Sequence, residues 1–538
     1  MRNSPTITAL ALALTAAPTG AWAYGVQLPE AGTVAFGRGG AHLARPTDPS
    51  VVMHNVANIV ALRGFQLTIA SNLSFFDHCF QRSGTYDTVD ASDTIFTMSG
   101  DAPYSGMPYP QVCKNFSVGL APMVLGTYQI NRYIGIGFGV FAPSTQGRTQ
   151  HFPDTVTLPG GLMAPSPARN LLYRKDLLVL HPVVAVSVQP VRWVRFGLGV
   201  APSVGNFVFG LNANGVASSP QSPTSDVFIE LNATGFFLAG LFGVQATPTP
   251  FLSFGAQFHY NFPIDASGTA SAIGSVYARN PSNRVSSNFD ILSMRVQLPW
   301  TLRASLRYNL PRPGRPTQDD GTGTYDPMTD DVFDVEAAFT YERTSNLSET
   351  SLTNQGSIRV DPLVTARAPA SITIRSALTD VVGFRFGGDW NVIPGRLALR
   401  VGGSYETAGV SPELAQIHLP AYAGGSVHVG ASYRWRWLTV HLGYGHFFFE
   451  DNNATNARRA VTVPAPVRDP MLYPDTPMGN AAWQANLMRQ GLTPEGQIDP
   501  NRGCDPSIST RGEEACRINR GVYSASLNVV SVGLSARW

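Results

Sequence analysis

Apolar and polar side chains alternate with a period of two along most of this chain. In VRFGLGV, Val194, Phe196, Leu198 and Val200 share one face, and Arg195, Gly197 and Gly199 share the other. In WTLRASLRYN, Trp300, Leu302, Ala304, Leu306 and Tyr308 alternate with Thr301, Arg303, Ser305, Arg307 and Asn309. FRFGGDW and RLALRVGGSYE set Phe384, Phe386, Leu397, Leu399 and Val401 against Arg385, Asp389, Arg400 and Glu406. A period of two is that of an extended strand with one apolar and one polar face. It predicts strands over 64–76, 115–128, 133–141, 173–189, 194–209, 227–246, 251–263, 291–309, 332–343, 374–390, 396–406, 426–434, 437–449 and 522–538, fourteen in all.

Many of these runs exceed the roughly five or six residues of an ordinary strand. Their connections alternate in length. Short ones fall at Asn131-Arg132, 189–193, 247–250, 391–395 and Trp435-Arg436; long ones cover 77–114, 142–172, 264–290 and 450–521. Residues 310–331 are a long polar linker where a short turn is due, either an insertion or a sign that strands nearby are miscounted. Five of the eight tryptophans (Trp193, Trp390, Trp435, Trp437, Trp538) sit beside short connections or on the last strand. Tight turns on one rim, long loops on the other and an aromatic girdle describe an all-β, antiparallel outer-membrane barrel rather than a soluble sandwich. In lipid every backbone N–H and C=O needs a partner, and only a closed sheet leaves no edge. The strand LNVVSVGLSARW must then pair with the first strand, its Val530, Val532, Leu534, Ala536 and Trp538 turned to lipid.

Composition agrees. Only 14% of the 538 residues are charged, against roughly 25% in soluble proteins. The mean hydropathy of −0.01 is too low for a bundle of membrane helices. No later run of 18 apolar residues suggests a spanning helix. A net charge of +2 gives no signal for nucleic acid. Arg2, the apolar stretch 7–17 and Ala21-Trp22-Ala23 read as a signal peptide over 1–23, with the mature chain starting at Tyr24. Export permits disulfides. Cys79, Cys113, Cys504 and Cys516 allow three pairings, of which the sequence-local one would staple two long loops. No spacing supports a metal site.

Residues 24–63 do not alternate; they are small, rich in Gly and Ala, and end in an apolar run. A fourteen-strand cylinder leaves a lumen, and linkers are seldom so apolar, so this segment is expected to be a plug, with the barrel over 64–538. It resembles the N-terminal hatch of the FadL-type long-chain fatty acid and hydrocarbon transporters, which include the toluene-transport branch. Gly25-Val26-Gln27-Leu28 resembles the family's Gly-Phe-Gln-Leu start. The stretch from Ala35 and Phe36 to Ala41 resembles its Gly-Arg-Ala-Gly-Ala run, and 48–57 resembles Asp-Ala-Ser-x-Val-x-x-Asn-Pro-Ala, with Val56 in place of Pro between Asn55 and Ala57. LSFGAQFHYNFPIDASGTA, VQLPWTLRASLRYNL, VHVGASYRWRWLTVHLGYGHFF and GVYSASLNVVSVGLSARW resemble later strands in the family's order.

The resemblance implies a passive outer-membrane transporter of hydrophobic molecules, with no cofactor. Ligands would be captured outside, pass a rearranging hatch and leave sideways near a kinked third strand. In YIGIGFGVF, Gly135, Gly137 and Gly139 share one face; they either border that opening or make room for the hatch, since glycine weakens pairing and permits bends. Implied partners are fatty acids or hydrocarbons, the lipid and lipopolysaccharide of the outer membrane, and its assembly machinery; the chain is expected to act as a monomer. Inward parity collects Arg195, Arg303, Arg307, Arg385, Arg400 and Arg434. Arg303, Arg307, Arg385 and Arg400 are candidates to bind a carboxylate head bidentately, or else they pair with Asp389, Glu406 or hatch carbonyls. Asn55 and Asn58 are expected to cap and fix the plug. His441 faces inward and His446 outward, and no acid–base pair of catalytic geometry is evident. A diffusion porin or an adhesive surface barrel are the rival readings.

Overall fold

The structure, a computed structural model, describes residues 31–86, 103–142, 149–169, 171, 174–214, 226–274, 285–318, 324–360, 364–367, 371–375, 378–410, 417, 421–454, 461–462, 476–482 and 520–538. The signal peptide, Val26, Leu28, Cys504 and Cys516 lie outside the described residues.

Fourteen antiparallel staves close into a cylinder. They are β1 (Phe65–Arg82), β2 (Val118–Asn131), β3 (Ile134–Phe141, resumed at Thr149–His151), β4 (Arg174–Val191), β5 (Val194–Asn214), β6 (Asp226–Ala246) and β7 (Leu252–Asn261, then Ile264–Gly274). The second half is β8 (Val285–Val296, then Thr301–Pro311), β9 (Asp331–Glu342, then Glu349–Val360), β10 (Ser371–Arg375, then Val381–Ile393), β11 (Leu397–Glu406), β12 (Gly424–Trp435), β13 (Leu438–Phe449) and β14 (Gly521–Arg537). Each pairs with its sequence neighbours, and β14 runs against β1 in unbroken register from Gln66↔Arg537 to Arg82↔Gly521.

The alternation of the sequence becomes an inside and an outside. Along Thr301–Pro311, Leu302, Leu306 and Tyr308 are exposed, whereas Thr301, Arg303, Ser305 and Arg307 are buried. Trp193, Trp390, Trp435, Trp437 and Trp538 are all exposed along the short-turn rim. Trp538 stacks on Trp437 at 5.9 Å, and its backbone N–H donates to the Phe65 carbonyl at 2.9 Å. About ten tilted residues cross a bilayer, so staves of 17 to 21 residues stand well above the apolar belt on the long-loop side.

The barrel differs from the sequence reading where staves are polar or jointed. Residues 264–274 and 285–290, expected as loop, continue the ladder between β7 and β8. Residues 349–360, absent from the strand map, extend β9 and pair with Val285–Val296. The run read as a single strand over 291–309 is interrupted at 297–300, where Pro299 lacks the N–H a ladder needs. Strand count is unaffected, so 310–331 is an insertion. Cys79 and Cys113 form a disulfide across the ladder between β1 and Gln111–Cys113.

The bore is filled by the leading segment. From Ala31 to Val60 every residue except Thr47 is buried. It folds as α1 (Thr33–Gly37), α2 (Val51–His54) and a 3₁₀ turn, Val56–Ala61. α1 lies against β11 to β14 and β1; the 3₁₀ turn lies against β2 to β6. The segment therefore spans the lumen from wall to wall.

Candidate functional site: the filled bore

One side of the plug is held by charge. Arg38 Nη1 lies 2.7 Å from Asp334 Oδ1 and 2.5 Å from Asp389 Oδ1, with Nη2 at 3.4 Å from Glu336. Arg45 reaches Asp334 at 2.6 Å and Asp389 at 3.2 Å. Glu336 Oε1 also accepts from the backbone N–H groups of Leu43 and Ala44, at 2.7 and 2.9 Å. Arg307 (to Asp331, 2.6 Å, and Asp334, 3.2 Å) and Arg400 (to Asp389, 2.8 Å) complete a network of four guanidiniums and four carboxylates, all buried. Parity places Arg307, Asp389 and Arg400 in the lumen; the assembly of the network from 38–45, 307, 331–336, 389 and 400 needs the closed fold.

The other side is held by amides and close packing. Asn55 Nδ2 donates to the carbonyls of Leu43 (3.1 Å) and Val244 (3.0 Å), and its Oδ1 accepts from Ala57 N, capping the 3₁₀ turn. Asn58 Nδ2 donates to Leu43 O at 2.8 Å. Val56 N–H donates to Gln257 Oε1 at 2.9 Å. Phe36 packs edge-on against His428, 4.7 Å between centroids. A Cβ on Gly135 would meet Val60 Cα at 2.8 Å, and one on Gly137 would meet Val52 and Ile59 side chains at 2.7 and 2.9 Å. These two glycines make room for the plug. Gly139 differs: its φ is +146°, and a Cβ there would lie 2.1 Å from Val124 O.

The glycine run itself is in register with both neighbours, from Ile134↔Val188 to Phe141↔His181 on the β4 side. The run ends at Phe141, and pairing with β4 is next described at Thr149↔Asp176. Pro182 on β4 and Pro122 on β2 flank this place, and proline supplies no ladder hydrogen.

Of the candidate arginines, Arg307 and Arg400 belong to the charge network. Arg385 is bound to Glu406 and, at 2.6 Å, Thr340. Arg303 donates to the plug carbonyl of Met53 at 3.3 Å. Arg195 donates to Gln189 and to the Gln318 carbonyl, and Arg434 pairs with Asp326 at 2.6 Å. His441 is bonded between Ser432 and Ser535 inside the bore, while His446 bonds Asn528 on the outer face.

The linker was not legible as a functional element. It turns into the short-turn mouth below the plug. Gln318 bonds Thr249, Ser253 and Arg307; Tyr325 bonds Arg307 and Asp331; Asn391 donates to Pro327 O at 2.8 Å in α3 (Pro327–Asp330). Asp326 clasps Arg434 and, at 2.7 Å, Arg537 on β14. A small pocket of mixed lining remains between plug and linker, bordered by Asp48, Leu62, Arg63, Tyr325, Asp326 and Arg434. Burial alone would raise the Asp326 carboxyl, but Arg434 and Arg537 override it and hold it below the usual carboxylate range. In the plug, burial and then nearby Arg303 push His54 down to about 3; burial, with His54 and Arg38 nearby, likewise holds His42 well below its usual value. Both imidazoles are neutral, leaving Arg38 and Arg45 as the cations of that network's plug side.

No family model matches the chain, and no curated relative does. Solved structures do. A FadL homologue of Pseudomonas aeruginosa superposes with a TM-score of 0.64 at 13% identity, covering 96% of this chain and 100% of that one. The toluene transporter TodX of P. putida gives 0.57 at 14%, over 95% and 99%. The toluene transporter TbuX of Ralstonia pickettii gives 0.53 at 12%, over 95% and 99%. The chain thus has the FadL-type fold over nearly its whole length.

Proposed function

We propose that this chain is an outer-membrane transporter through which hydrophobic small molecules enter passively. The observation that carries the reading is the conjunction of a closed barrel, apolar outside, with a bore occupied by its own leading segment. An open diffusion porin needs an aqueous lumen, and here the lumen holds ion pairs, amide bonds and packed side chains. The FadL-type fold of structures titled as toluene transporters supports the same reading.

The proposed pathway runs sideways. A molecule captured among the tall staves reaches the plug, displaces its amide-held face beside β3, and leaves through the wall near the glycine run of β3. The linker closes the mouth below, which favours the sideways route. The residues 1–23 direct export, and the outer membrane supplies the lipid that the belt requires.

Uptake of a radiolabelled long-chain fatty acid and of toluene by cells lacking their own transporters tests the proposal. The full chain should raise entry of at least one of them, and a small sugar should gain nothing. Sugar entry without hydrophobic entry overturns it.

A further inference from the structure

We infer that His181 and His259 form a polar subsite on the bore wall beside the end of the glycine run that accepts the O–H group of an otherwise hydrophobic molecule. The inference deepens the proposed function and rests on it: it names which hydrophobic molecules the bore holds.

His181 is the cross-strand partner of Phe141, the last residue of the Ile134–Phe141 run of β3. His259 comes from β7 across the corner of the bore, with ring centroids 5.5 Å apart. The two side chains are 0% and 5% exposed, yet neither Nε2 has a hydrogen-bond partner. The His181 ring has apolar neighbours, Phe141 at 5.1 Å and Phe237 at 5.7 Å, from a cluster that includes Val179 and Val183. Buried polar atoms are nearly always satisfied, so two bare buried nitrogens side by side call for a partner from outside the chain.

The hydrogen-bond pattern fixes what His181 offers. Ser203 Oγ donates to Ala201 O at 2.9 Å, so it meets His181 Nδ1, 2.6 Å away, with a lone pair. Nδ1 therefore carries the ring hydrogen, and Nε2 of the neutral ring is an acceptor. An alkane or a simple arene gives it nothing. A phenol, an alcohol or a protonated carboxylic acid gives it an O–H while its apolar body fills the cluster. Arg303, diagonal to His259 across the ladder between β7 and β8, lies on the same wall.

The test compares p-cresol with p-xylene, near-isosteres that differ by one hydroxyl. Both are titrated against the full mature chain in detergent, with affinities corrected for partition into empty micelles. The chain should prefer p-cresol. His181→Phe should cut that preference roughly five- to tenfold, the weight of one buried hydrogen bond, and His259→Phe should lower it too. Heat-modifiable migration on gels reports which variants form the barrel, and either one suffices. Equal affinities in the unmodified chain, or a preference that survives in a folded variant of both positions, overturns the subsite while leaving hydrophobic transport standing. Binding of neither compound, together with no uptake, overturns both.

Discussion

Val56 donates its backbone N–H to Gln257 at 2.9 Å, a bond that the proline of the resembled signature has no hydrogen to make. The backbone is otherwise ready for proline. Asn55 is extended (φ −158°, ψ 99°), and position 56 is the first of a 3₁₀ turn. Val56→Pro should therefore leave the barrel intact and weaken the plug's hold by about 1 kcal/mol, read as a several-fold rise in steady current across a planar bilayer. Arg38→Ala should do more harm, since it leaves Asp334, Glu336 and Asp389 short of a buried cation; breaking such a network costs about 3–5 kcal/mol. The plug of that variant should become open to protease. The sequence shows by parity that Arg307 and Arg400 of the same network face inward. It does not show their partners, because Arg38 and Asp389 lie 351 residues apart and meet only when the cylinder closes.

On the proposed pathway, β3 is the element on which passage depends. Gly137→Val should press on Val52 and Ile59 of the plug, cutting uptake while the barrel still assembles; unchanged uptake would remove the glycine run from the pathway. Gly139→Ala should fail earlier, at assembly, because the new methyl meets a carbonyl oxygen and the backbone sits at positive φ. The linker is the second such element. A carboxyl whose pKa is depressed by folding stabilises above its unfolded value of about 4 and loses that stabilisation only as pH falls through its lower folded value. The Asp326 clasp should thus hold from neutral pH down to about 4, whereas Asp326→Asn should loosen the lower mouth at every pH, seen as conductance steps in the variant alone. Fourteen staves were readable because lipid on one side and lumen on the other impose a strict period of two. ETSLTNQGSIRV escaped because it is mostly polar, with Leu352, Ile358 and Val360 too sparse to alternate, extending a stave above the apolar belt where no such contrast is imposed. The linker escaped for a related reason: its contacts are single polar side chains with no period.

At the scale of the whole molecule, stability comes from continuity of the ladder more than from any core. The Cys79–Cys113 disulfide adds to it locally. Closing that loop is worth about 3–4 kcal/mol by chain entropy, so reduction should expose the segment between the two cysteines to protease without unfolding the staves. The seam between β1 and β14 has a larger consequence. It joins residues more than 400 positions apart in one uninterrupted register, and the plug is tethered a few residues from it at Gly64, whose Cα faces the Trp538 carbonyl. Once that seam zips, a stopper broad enough to touch every wall has no route inward. The leading segment must already be lying in the half-curled sheet when the two margins meet, so the order of events during biogenesis is written into the topology, and the cork is bottled before the glass is sealed.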